Sequence, residues 1–131
     1  MSADALQVPP QAIEAEMAVL GSMLIEAEAV ERALELLDDK QFYKEAHRKI
    51  FSAAVNLYTR GQAVDLVTVG EELRTLKWIG EVGGTPYLSE LVGRVATAAH
   101  VEHYAKIVRS KAILRELIRV VIERPARAGA Q

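Results

Sequence analysis

The feature that most constrains this chain is an apolar face that changes sides partway along its last helix. Thr97 is a cap, and the spacing that follows it predicts one long helix to about Glu123. On a wheel of about 100° per residue with Ile107 at zero, Val101, Tyr104, Ala105, Val108 and Ala112 fall between about 60° and 160°. Ile113, Leu114, Leu117, Ile118, Val120 and Val121 fall on another sector, from about 220° through 300° to about 20°. A surface helix serving one core keeps one stripe. A stripe that switches near residue 112 therefore implies two different neighbours. The first half is expected to pack on its own bundle. The second is expected to project and to need a partner surface, because six large apolar side chains in water make a patch that monomers rarely show. The rival, a helix buried all round, is weakened by Arg109, Arg115 and Arg119.

The rest of the chain supplies the bundle. Pro9-Pro10 resists helix before it, and Ile13, Met17, Leu20 and Leu24 form the first stripe. Beside them Ala18, Gly21 and Ser22 are small enough for another helix to approach closely. A second helix fits Glu28 to Leu37, and Asp38-Asp39 ends it and offers caps. A third fits Lys44 to Tyr58, with His47, Ile50, Phe51, Ala54, Leu57 and Tyr58 inward and Arg60-Gly61 closing it. The β-branched run Val67-Thr68-Val69 favours strand by propensity. Asp65 as a cap and the spacing of Leu66, Val69, Leu73 and Leu76 favour helix from Leu66 to Lys77, and the helix is preferred. A turn-rich loop follows from Trp78 to Gly84. Thr85-Pro86 then reads as a cap with proline at the first helical position, and that short helix runs to about Gly93. Pro125 is expected to stop the last helix. The expected architecture is all-α: a compact bundle of five to seven helices with a long projecting C-terminal helix. Residues 1–8 read as a disordered lead, 9–97 as the bundle, 98–123 as the long helix and 124–131 as a tail.

The 131 residues fit one domain. Cysteine is absent, which excludes disulfides, thiolate metal sites and a cysteine nucleophile. No apolar run is long enough to span a membrane and the N-terminus lacks a signal pattern, so a cytoplasmic location is expected. Net charge is −2, against a strongly basic nucleic-acid module. Charge is uneven, however. Residues 1–39 hold nine acids and one base, whereas 101–131 hold seven bases and three acids. Like copies could pair front to tail, although solvated helix faces also explain the pattern.

No active site emerges. No lysine follows a glycine, so there is no phosphate-binding loop. His100 and His103 could share a helix face but lack the partners of a zinc frame. His47 reads as a hydrogen-bonded core residue. The pairs Glu14/Glu16, Glu26/Glu28 and Glu71/Glu72 read as acidic helix surface, with nothing to desolvate one member alone. No catalytic, cofactor-binding or metal residue is assigned. Lys106, Arg109, Lys111, Arg115 and Arg119 could touch phosphates, which keeps a nucleic-acid-binding module as the alternative function, but Glu102 and Glu116 interrupt them.

Several stretches in series resemble the N-terminal domain of DnaB-type replicative helicases. They are Val8-Pro9-Pro10-Gln11-Ala12-Ile13-Glu14-Ala15-Glu16 with Val19-Leu20-Gly21, then Phe42-Tyr43 with His47-Arg48-Lys49-Ile50-Phe51. Val64-Asp65-Leu66-Val67-Thr68-Val69 and Gly83-Gly84 with Tyr87-Leu88-Ser89-Glu90-Leu91 follow. Thr97-Ala98-Ala99 and Tyr104-Ala105-Lys106-Ile107-Val108-Arg109 with Leu114-Arg115-Glu116-Leu117-Ile118 complete the series, with His100 where the family commonly has Asn. The resemblance implies a scaffold ahead of a RecA-like ATPase domain, which is absent from this chain, so that ATP and Mg would belong to that other domain. It implies self-association as a dimer and, in the whole helicase, a trimer of dimers on the hexamer, with the last helix as one arm of a hairpin. The second arm is missing after Val121-Ile122-Glu123. It also implies docking of the primase C-terminal domain, in some systems a helicase loader, and at most weak contact with single-stranded DNA. The residues assigned to the subunit interface are Ile113, Leu114, Leu117, Ile118 and Val121. Tyr87 and Ile118 are assigned to the primase-facing surface. Tyr87 stands one residue after Pro86 at a helix start, where a phenol can point outward or pack in the core.

Overall fold

A computed structural model describes residues 8–95 and 100–129, with side chains described through residue 122. Six α-helices and one 3₁₀ turn make up these residues. The helices are α1 (Ile13–Ile25), α2 (Ala27–Leu36), α3 (Glu45–Thr59), α4 (Leu66–Thr75), α5 (Gly84–Gly93) and α6 (Val101–Gly129), with the 3₁₀ turn at Asp39–Gln41. Residues 1–7 of the expected lead and the Thr97 cap lie outside the described residues.

Helix α1 is the centre of the bundle and packs on α2, α3, α5 and α6. Its stripe is buried as the spacing requires, with Met17, Leu20 and Leu24 all below one-tenth exposure. Gly21 explains how α5 comes so near. A Cβ there would stand 2.3 Å from the Leu91 carbonyl oxygen and 2.4 Å from Val95 Cγ2, so only hydrogen fits.

Local chemistry sets the element ends. Asp38 accepts from the Lys40 N–H at 2.9 Å while Gln41 reaches back to the Asp38 N–H at 2.9 Å, closing a capping box. Asp65 and Thr68 form the same reciprocal box at the start of α4, which is why the β-branched run is helical. Helix α4 ends at Thr75, two residues before the expected Lys77. Lys77 takes a left-handed φ of 65°, and the Trp78 N–H bonds the Leu73 carbonyl at 2.8 Å across the turn.

Three expectations are corrected. Thr85 does not cap α5: the helix begins at Gly84, and Gly83 precedes it with φ 105°. A Cβ on Gly83 would meet the Tyr87 Cβ at 2.9 Å, so glycine both supplies the left-handed turn and makes room for that ring. Tyr58 is 43% exposed rather than inward, because the stripe of α3 ends at Leu57. Pro125 does not stop the last helix, which continues to Gly129. Proline removes the N–H that would bond the Val121 carbonyl, and the helix stands in the open there, with Val121 63% exposed, so solvent can serve that carbonyl.

Candidate interaction surface

The last helix divides as its sequence demands. Val101, Ala105 and Val108 are buried against the bundle. Beyond them Ile113, Leu114, Leu117, Ile118 and Val121 are 43–63% exposed, and Ile122 is 69% exposed. The five residues assigned from the sequence therefore share the distal half of one helix, on a face that the bundle leaves uncovered. Ile118 also lines a groove of about 300 Å³ with Val8, Pro9, Pro10, Arg115, Arg119 and Ile122.

Arg115 stands where the burial ends. On the wheel it falls at about 80°, so it extends the buried sector of the first half and not the exposed sector of the second. Its two terminal nitrogens donate to the Pro10 carbonyl at 2.8 Å and the Gln41 carbonyl at 2.7 Å. The guanidinium carbon lies 5.4 Å from the centre of the Tyr43 ring. Burial lowers the Arg115 pKa; Arg48 adds to this, while Glu16 and Tyr43 oppose it. A guanidinium stays charged through such shifts. Arg115 is thus engaged by protein groups, as is Lys106, which pairs with Glu102 at 3.2 Å. The basic helix offers phosphates less than its composition suggests.

Behind this surface lies a buried polar chain. Glu16 is 1% exposed and His47 is 0% exposed. The Glu16 carboxylate accepts from His47 Nδ1 at 2.7 Å, the Tyr43 N–H at 2.6 Å and the Lys44 N–H at 3.4 Å. It thereby places negative charge at the N-terminus of α3, whose N-cap residue Lys44 makes no side-chain cap of its own. Because a carboxylate only accepts, the proton on Nδ1 points to Glu16. In the neutral ring this leaves Nε2 to accept the Tyr87 hydroxyl proton, at 2.6 Å. The Tyr87 and His47 rings stack at 5.9 Å and 12°, and Lys44 Nζ sits 4.7 Å over the Tyr87 ring. Among the described residues every buried side-chain nitrogen and oxygen has a partner.

Two acidic pairs expected on the surface are each split between core and solvent. Glu16 is not acidic helix surface: it is buried while its neighbour Glu14 is 78% exposed. Glu72 is likewise 9% exposed beside a 71%-exposed Glu71, and it accepts from Arg60 at 2.6 Å and Asn56 at 3.1 Å. Those two hydrogen bonds hold the Glu72 carboxyl below its usual range. Tyr87 is partly exposed, and its hydroxyl pairs with His47 Nε2 at 2.6 Å and accepts from Lys44 Nζ at 3.4 Å. His47 is the hydrogen-bonded core histidine its stripe predicts. The missed signal was positional. Glu16 lies three residues after Ile13 and four before Leu20, on their face, and Arg115 lies on the inner sector of its helix.

Among the described residues no three His, Asp or Glu side chains gather as a metal site, and no helix is long and apolar enough to cross a membrane. The Glu16–His47–Tyr87 chain has its polar atoms satisfied by protein and joins α1, α3 and α5 as a structural tie. Among the described residues, the apolar distal half of α6 stays 43–69% exposed at Ile113, Leu114, Leu117, Ile118, Val121 and Ile122.

Comparison with known proteins agrees with this architecture. Residues 8–110 match the DnaB-like helicase N terminal domain. The replicative DNA helicase DnaB of Geobacillus stearothermophilus is 50% identical over 113 residues, covering 86% of this chain and 25% of that protein. The chain thus spans about a quarter of that relative's length. The crystal structure of the N-terminal domain of DnaB helicase from Mycobacterium tuberculosis superposes with a TM-score of 0.87 at 41% identity, covering 88% of this chain and 81% of that one. A structure of a DnaB-like replicative helicase, described together with its interactions with primase, superposes at 0.79 with 26% identity, covering 92% of this chain and 28% of that one. With the helical architecture and the match across residues 8–110 in agreement, this chain belongs to the DnaB-like helicase N-terminal domain family, the non-catalytic part of the replicative helicase.

Proposed function

We propose that this domain works as a scaffold in a bacterial-type replicative helicase acting at the fork in the cytoplasm: it associates with copies of itself and presents a docking surface to primase. The observation that carries the reading is the continuous exposed face of Ile113, Leu114, Leu117, Ile118 and Val121 on a helix that has left its bundle. Burying such a face stabilises association by roughly 25 cal/mol per Å² before ordering costs. Copies pair through it as dimers, and in the complete helicase the dimers form a three-fold collar. Primase is the partner supported by the solved relative described with it, and Tyr87 and Ile118 are the residues assigned to that contact. A helicase loader is a further partner of the same collar. ATP and Mg²⁺ are the business of a separate ATPase domain of the helicase, and contact with single-stranded DNA is weak or indirect.

Light scattering over a wide concentration range, with Leu117→Asp beside the parent chain, tests the assembly. A dimer or larger species that falls to the 14.4 kDa monomer in the variant is the expected result. A parent chain that stays monomeric throughout overturns assembly through this face. Titration with a primase C-terminal domain tests the docking, and saturable binding weakened by Tyr87→Ala is expected.

A further inference from the structure

Arg115 ties three other parts of the molecule to its own helix through directional contacts. The proximal half of α6 is fixed by Val101, Ala105 and Val108 in the core. Arg115 lies seven residues beyond Val108, about 10 Å farther along the axis at 1.5 Å per residue. At that distance a contact has leverage over the direction of the helix that the core residues lack. The contact is also directional. A planar fork reaches two backbone carbonyls, Pro10 ahead of α1 and Gln41 at the end of the 3₁₀ turn, while its face covers the Tyr43 ring. The Tyr43 N–H is in turn bound to the buried Glu16 carboxylate, so the platform under the fork is itself fixed.

We infer that Arg115 is a positioning residue, a clamp that sets the direction in which the apolar half of α6 leaves the bundle. It fixes the angle at which the exposed face is offered, whatever covers that face. The two carbonyls hold the helix against rotation about its axis and against tilt away from Pro10. An ammonium at the same place is a compact point charge and does not supply the planar fork.

The test is a distance measurement inside one chain. The protein has no cysteine, so Thr75→Cys and Val121→Cys accept spin labels without further changes. Labelled chain is diluted into a large excess of unlabelled chain, and the distance distribution is read by pulsed electron resonance. The parent should give one narrow distribution. Arg115→Met keeps the stem and loses the fork; it should broaden the distribution and shift its centre by a few ångströms, since residue 121 lies about 9 Å beyond the clamp. Arg115→Lys should fall between the two. A distribution for Arg115→Met that superposes on the parent's, with helicity and unfolding midpoint retained, overturns the inference. Should Arg115→Met fail to fold, Arg115→Lys carries the reading: a parent-like distribution in that variant overturns the clamp, and a broadened one supports it.

Discussion

Glu16 Oε1 lies 2.7 Å from His47 Nδ1 with both side chains sealed from solvent, and this single contact ties α1 to the first turn of α3. Two backbone N–H groups share the same carboxylate. Removing the carboxylate leaves the buried His47 Nδ1–H and two part-buried backbone N–H groups without their acceptor. A buried donor left without its acceptor costs about 1–3 kcal/mol. Glu16→Ala is therefore expected to lower stability by about that amount in urea unfolding. Glu16→Gln should cost less, because an amide oxygen still accepts. A double-mutant cycle with His47→Ala should return a coupling of about 0.5–3 kcal/mol. A coupling near zero would show that Glu16 acts through the α3 N-terminus alone.

Tyr87 separates two roles that one substitution usually confounds. Its hydroxyl serves the buried His47, while the residue as a whole stays partly exposed. Tyr87→Phe keeps the ring and removes the hydroxyl, leaving His47 Nε2 without its 2.6 Å partner. The expected cost is about 1–3 kcal/mol in chemical denaturation. If the ring is the part that a protein partner grips, the same variant binds that partner nearly as well as the parent, whereas Tyr87→Ala loses both stability and binding.

The helices and their order were legible because apolar spacing reports burial directly: Leu20, Ile50, Leu73 and Val108 are all buried where periodicity puts them. The switch of face in α6 was legible for the same reason. The buried relay was not. Glu16 looks like one of an acidic surface pair, since charge is normally exposed, and only its place between Ile13 and Leu20 points inward. Arg115 looks like one of a basic series, although it continues the inner sector. In both residues a long polar side chain lies on the inward sector of its helix and is satisfied by groups distant in sequence, Tyr43 and Pro10 among them. Periodicity weighs apolar residues alone and is blind to such cases. Pro125 misled in the opposite direction, because proline's cost depends on whether solvent can serve the carbonyl it orphans.

Gly21 should reverse the usual effect of replacing a helical glycine. In an open helix, alanine for glycine stabilises by up to about 1 kcal/mol. At residue 21 the new methyl would meet the Leu91 carbonyl oxygen at 2.3 Å, and backbone does not step aside as a flexible side chain would. Gly21→Ala should destabilise by about 1–3 kcal/mol or more as α5 is forced off α1. Gly70 is the control. Its added Cβ would find Arg74 at 3.7 Å and Leu88 at 3.8 Å, ordinary contacts, so Gly70→Ala should leave the thermal midpoint unchanged or raised. Equal loss in both variants would count against close approach at Gly21.

The acid side of the stability profile should carry the signature of Glu72. Hydrogen bonds from Arg60 and Asn56 hold its folded pKa below the ordinary value of 4.5, against an opposing push from desolvation. A carboxyl depressed on folding contributes stability that is complete above the unfolded value and is lost as pH falls through the folded one, because the unfolded chain takes up the proton first. Glu72 therefore makes no pH-dependent contribution near neutrality and a destabilising slope below about pH 4.5. Arg60→Met removes the largest cause of the depression. Its denaturation midpoint should fall relative to the parent at neutral pH, and the gap should narrow as the pH is taken down through the carboxylate range. Glu102 and Glu116, also depressed by their cationic partners, give the parent a background slope of the same sign. The diagnostic is thus the difference between the two profiles. A gap that stays constant from neutrality to low pH would show that Arg60 stabilises α3 and α4 through packing of its stem and not through the Glu72 carboxylate.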